Sequence, residues 1–304
     1  MPTAAGKLFA PALSSRLLVI IALYALADVS PSAVAEPDRP APGQREEKRA
    51  QLLQQMKEIA EGTDVRYQTG EHRPQLVASP VFRYDDQPRR FLDATMWVWT
   101  DAGRPVAFQK IEAMDRDRPQ WATLFTSVTD EPLAVQWEQG REYRSTASGV
   151  DFQPLPDAPP VPAAKTARKL AARKLIRDFS ARILTGIHPD VTEEMRLLPA
   201  PIFEYQDAES SSYQGGVFGL TTSGTNPDVL ILLEPRLNEG ALAWHFSVAR
   251  MTTCGVTLKY VNAVVWKAEF CLPPATVFPT WTVFYTSRAE PTAQKIEPIQ
   301  LERP

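Results

Sequence analysis

The string SPVFRYDD at Ser79–Asp86 returns as APIFEYQD at Ala200–Asp207, 121 positions later. At that offset Leu76, Pro80, Phe82, Tyr84 and Asp86 match Leu197, Pro201, Phe203, Tyr205 and Asp207, with Val81 opposite Ile202. Self-similarity at a fixed spacing restricts the chain to architectures that can be built twice. Upstream, Leu52, Met56 and Ile59 stand opposite Ala172, Ile176 and Phe179, each set spaced four and then three. That is the apolar stripe of an amphipathic helix, so each unit is expected to open with one. Downstream, TDAGRPVAFQKIE at Thr100–Glu112 answers TTSGTNPDVLILLE at Thr221–Glu234. Both read as a turn feeding a strand, with Gly103 and Gly224 supplying the backbone freedom of the turn. The run VLILL reads as a short buried strand, and ATMWVWT and GGVFGLT as the hairpin partners.

The expected fold is therefore α+β, with two tandem helix-plus-antiparallel-sheet repeats at 36–152 and 165–272. A proline-rich linker at 153–164 should be extended and stiff. In the remainder, 273–304, TVFPTWTVFYTS can add an edge strand and the end reads as a loose tail. Each unit is long enough for its own core, but a sheet with one helix leaves a face to cover. The reading thus allows the units to pack on each other with pseudo-twofold symmetry.

A content of 44% hydrophobic and 23% charged residues marks a globular chain, in which 28 prolines act as punctuation. At the N-terminus Lys7 and Arg16 precede the apolar run LLVIIALYALA, and SAVA at Ser32–Ala35 follows. This is the pattern of a signal peptide over residues 1–35, cut after Ala35. An apolar run of 11 residues is too short to span a bilayer as a helix. The expectation is an exported protein, periplasmic or extracellular, with no transmembrane helix after cleavage. Removing Lys7, Arg16 and Asp28 takes the formal charge from −3 to about −4, which argues against nucleic-acid binding.

Catalytic motifs are scarce. His72, His188 and His245 are scattered, and there is no HExxH, paired Cys and His spacing, GxSxG, Walker loop or GxGxxG. No metal, cofactor or nucleophile site is expected from that pattern. The matched groups Glu112 and Glu234, Asp86 and Asp207, and Tyr84 and Tyr205 could face one another across a pseudo-twofold interface. Two facing carboxyls could raise one pKa and do acid–base work. The structural reading of the same residues, as strand ends, turns and packing groups, is the stronger one.

If Asn262 and Ala263 form the centre of a hairpin turn, Cys254 and Cys271 face each other at a non-hydrogen-bonded pair. A disulfide between them is then expected, against the alternative of two free thiols. The second helix carries Arg168, Lys169, Arg173, Lys174 and Arg177 beside its apolar stripe. Such a basic face could contact an anionic surface or an acidic envelope protein, but a solvated face, or one that pairs with acids of the first unit, is the stronger reading.

The strings LLPAPIFEY, TSGTNPDVLILLE, WHFSVARMT and VVWKAEF resemble a family of uncharacterised exported proteins of planctomycete bacteria. The resemblance covers most of the mature chain, most closely Met195–Phe270. It implies an exported setting and supplies no active-site residue. Two function classes follow. The first is a non-catalytic exported binding or interaction protein of the cell envelope. It is favoured by the duplication, by the aromatic content of the strands (Trp97, Trp99, Trp121, Trp244 and Trp266) and by the absence of catalytic motifs, and tryptophans exposed on a shared face would support it. The second is a hydrolase of envelope polymers that uses Glu112 and Glu234 at the joint between the repeats.

Overall fold

The structure, a computed structural model, describes residues 42–70, 72–115, 119–138, 140–184, 191–206, 215–271 and 277–288. The segment expected to be a signal peptide, His188, Asp207 and the end after residue 288 lie outside the described residues. Helix α1 (Pro42–Glu61) buries Leu52, Met56 and Ala60, which the four-residue spacing brings to one face. It leads into β1 (Thr63–Tyr67), β2 (Gln75–Leu76), β3 (Phe82–Asp86) and the long hairpin β4 (Phe91–Asp101) and β5 (Arg104–Met114). Then come β6 (Gln120–Ser127), the pair β7 (Leu133–Trp137) and β8 (Glu142–Arg144), and the two-residue β9 (Gln153–Pro154).

Helix α2 (Lys165–Leu175) starts the second half. It is followed by β10 (Phe179–Leu184), β11 (Thr192–Leu197), β12 (Phe203–Tyr205), β13 (Gly215–Thr221), β14 (Val229–Asn238) and β15 (Ala241–Arg250). The last strands are β16 (Gly255–Tyr260), β17 (Ala263–Ala268) and β18 (Trp281–Ser287). The α2 stripe ends sooner than its spacing suggests. Ile176–Asp178 tightens into a 3-10 turn, and Phe179 is already extended at the head of β10.

Among the described residues the architecture is mostly antiparallel sheet with two α-helices. In the first half the ladder runs β2–β4–β5–β6, with β3 also on β4, and a separate sheet runs β1–β7–β8. The second half has β11–β13–β14–β15, with β12 also on β13, and β10–β16–β17. There β10 also pairs with β11, which fuses the two ladders into one nine-stranded sheet. The VLILL run sits inside β14, its residues buried, as a strand covered on both faces requires.

Each half's trailing strand completes the other half's sheet. β9 lies on β15 through His245↔Pro154 and Phe246↔Gln153. β18 lies on β6 from Trp281↔Thr126 to Ser287↔Gln120. The proline-rich joint is not a stiff extended spacer: it turns at Pro156–Asp157, where Asp157 has φ of 52°, and it is docked, with Leu155 buried and its N–H donating to Trp244 O at 2.8 Å. Pro is tolerated in β9 because the strand is at an edge.

Three apolar layers result. One lies between the two large sheets, with Met96, Val98 and Phe108 against Val217, Leu230 and Leu232. The second joins α1 and the β1–β7–β8 sheet to the outer face of the first large sheet, around Trp97, Phe125 and Trp137. The third joins α2 to the outer face of the other sheet, around Ile231, Leu233 and Trp244. The described residues from Pro42 onward form one compact unit.

The expected disulfide is absent, and both cysteines are free. The β16–β17 turn is centred on Val261 and Asn262, which have φ of 45° and 70°, one residue earlier than Asn262 and Ala263. Tyr260 therefore pairs with Ala263, two residues out of the expected register, and a bulge between Leu258 and Lys259 takes one of these back, which leaves a net slip of one residue. Cys271 ends opposite Thr253, to whose carbonyl its N–H donates at 2.9 Å. A one-residue slip turns a side chain to the other face. Accordingly Cys254 packs on the α2-side core and Cys271 on the core between the sheets.

Candidate functional site

Alternation along β5 and β14 sends Phe108, Lys110 and Glu112, and likewise Leu230, Leu232 and Glu234, toward the space between the sheets. Both glutamates are buried, each within its own cluster. Glu112 accepts a hydrogen bond from Tyr84 Oη at 2.7 Å, and Lys110 Nζ lies 3.4 Å from it. Lys110 also donates to the carbonyls of Pro227 and Met251, at 3.0 and 3.1 Å. Burial, reinforced by the adjacent Glu112 carboxyl, pushes the Tyr84 phenol well above its ordinary range.

The same end of the interface holds a second cluster. Arg89 donates both Nη atoms to Asp228, at 2.7 and 2.9 Å, and Ser223 Oγ donates to Asp86 at 3.0 Å. Burial alone would lower the Arg89 guanidinium, but its bonds to Asp228 outweigh this and raise it. Asp86 and Asp228 are both buried, so this end of the interface is filled with paired polar groups.

Glu234 has different partners. Tyr205 Oη donates to it, Arg104 Nη2 reaches both carboxyl oxygens at 2.8 and 2.9 Å, and Arg236 Nη1 stands 3.3 Å away. Glu112 lies eight residues beyond Arg104 on β5, about 26 Å of extended strand. That far exceeds the roughly 6–10 Å over which two carboxyls act on one bond. The matched tyrosines and glutamates pair within each half and do not face like groups in the other half.

The Glu234 end opens into a cleft of about 790 Å³. Its lining comes from β1, the β4–β5 turn, the loop after β6, the segment before β9, and the β14–β15 hairpin. Arg236 lies over the Phe152 ring, 4.2 Å from its centroid, and Arg104 lies 5.6 Å from the same ring. On the opposite wall Tyr67 Oη donates to Asp101 Oδ2 at 2.9 Å, and His72 Nε2 is 2.8 Å from Asp101 Oδ1. Burial and this bond to Asp101 raise the Tyr67 phenol, so it stays a donor. Leu237 and Leu242 face each other across the hairpin and are exposed at 77% and 38%, which makes an apolar lip.

None of these cleft residues was singled out from sequence. A usable signal was the i, i+2 pairing of a cation with a buried glutamate on one strand face, Lys110 with Glu112 and Arg236 with Glu234. The basic face of α2 is largely occupied. Arg168 is buried and donates to Pro162 O at 2.7 Å, while Lys169 and Arg173 pair with Glu204 at 2.9 and 3.2 Å. Lys174 and Arg177 are exposed. Trp97, Trp99, Trp121 and Trp244 are core residues, and Trp266 is half-buried against the α2-side core, so the tryptophans form no exposed shared face. His245 is also buried, with Nδ1 at 3.1 Å from Ala243 O.

Among the described residues no helix is long and apolar enough to cross a membrane, and no cluster of three His, Cys, Asp or Glu side chains could hold a metal ion. Comparison with family models, curated proteins and solved structures found no match to this chain.

Proposed function

We propose that this chain is a non-catalytic exported binding protein of the cell envelope, built by duplication of one helix-plus-antiparallel-sheet unit. Its ligand site is the cleft beside Glu234. Matching strand orders in the two halves support the duplication. So do reciprocal contacts. A Cβ on Gly103 would come within 3.1 Å of Gln206 O, and one on Gly224 within 2.7 Å of Asp85 O, each pair shifted by 121 positions from the other. Contacts of residue i with j′ and of i′ with j are the signature of a twofold interface. The exported setting rests on the N-terminal leader pattern and the resemblance to planctomycete exported proteins.

The observation that carries the binding reading is the difference between the two ends of this interface. One is sealed by Lys110, Arg89 and Asp228, while the corresponding end holds an open cleft of ligand size. A hydrolase working through Glu112 and Glu234 would need both at one site, and their separate partners speak against it. Ligand-observed NMR of a fragment collection against the mature chain, repeated with Leu242→Trp to narrow the cleft mouth, tests the reading. Hits lost in the variant are expected. Hits that persist unchanged, or none at millimolar concentration, would sink it.

A further inference from the structure

The cleft has a cation, an aromatic platform and an apolar lip within one short stretch of β14 and its neighbours. Arg236 stands over Phe152, 4.2 Å from the ring centroid, and is paired with Glu234, whose side chain is fully buried. Its own side chain is 42% exposed, with Nη1 3.3 Å from Glu234 Oε1. A guanidinium fixed in this way presents a planar fork matched to a carboxylate, at little further cost in side-chain entropy. Directly beyond it in sequence, Leu237 and its partner Leu242 are exposed apolar surface that water covers poorly.

Resting on the binding reading above, we infer that the cleft takes an amphiphilic organic monocarboxylate, its carboxylate on Arg236 and its apolar body along Leu237 and Leu242. The acids near the site refine this class. Asp101 is occupied by Tyr67 and His72, while Asp130 and Glu131 stand exposed on the loop after β6. A second anionic group on the ligand would meet them, so a dicarboxylate of equal length binds less well.

Calorimetric titration of the full mature chain with decanoate, decanedioate and decyltrimethylammonium reads the charge preference. Methyl NMR shifts at Leu237 and Leu242 read the location. Decanoate is expected to bind at least tenfold more tightly than the other two and to shift both leucines. Arg236→Gln should weaken decanoate at least tenfold, and Arg236→Lys by less. Shifts confined to the cleft but equal affinity for decanoate and the cation, or no effect of Arg236→Gln, would overturn the ligand class and leave the cleft standing. Shifts only outside the cleft would overturn the cleft itself. No decanoate binding at all would also remove the proposed class.

Discussion

Asp228 illustrates what a single buried charge does in this interface. It sits at the start of β14 and takes both Nη groups of Arg89 and the Thr222 hydroxyl, so its position links the two halves. Removing one member of such a pair strands the other in a dry environment, at a cost of about 3–5 kcal/mol. Asp228→Ala should therefore destabilise the protein by that amount in urea titrations. Asp228→Ala with Arg89→Ala should cost clearly less than the sum of the single changes, and strict additivity would show that the pair is not coupled. Residue identities were legible in the sequence at this scale, but their partners were not. Tyr84 and Glu112 were recognised as matched with Tyr205 and Glu234. Only the alternation of β5 and β14 in space decided that each tyrosine bonds the glutamate of its own half.

At the scale of elements, α2 is tied to β12 by Lys169 and Arg173 on Glu204. Burial raises the Glu204 carboxyl, but its bonds to Lys169 and its proximity to Arg173 prevail and hold it below the ordinary carboxylate range. A carboxyl lowered on folding stabilises above its unfolded pKa, near 4.3 by approximate reference value, and that gain disappears as pH falls through the lowered folded value. The pair is partly exposed, so Glu204→Gln should cost only about 0.2–1 kcal/mol at pH near 7. The difference from the parent should vanish at pH near 2, measured by denaturant midpoints, and a difference that survives there would exclude this clamp. Elements were well legible in sequence because helix stripes and hairpin turns are local patterns. Strands covered on both faces, such as VLILL, announced themselves by length and turn boundaries. Register was less so: the turn falls one residue early, on Val261 and Asn262, and together with a bulge between Leu258 and Lys259 that has no local signature it leaves Cys254 and Cys271 one residue out of register. The cleft was invisible because five segments distant in sequence line it.

At the scale of the whole molecule, the exchange of β9 and β18 makes each half a part of the other's sheet. Trp97 lies in the core of the first half and Trp244 in that of the second. Denaturation followed by the fluorescence of single-tryptophan variants retaining one or the other should give coincident midpoints. Two separated transitions would mean that the halves fold independently despite the crossing strands. The same crossing also bears on association. The joint Leu155–Ala164 keeps β9 at a high effective concentration near its own β15, which is what closes the pairing within one chain. The identical surfaces on a neighbouring copy offer the same pairing, so an exchanged dimer needs no new contact, only an arm that leaves home.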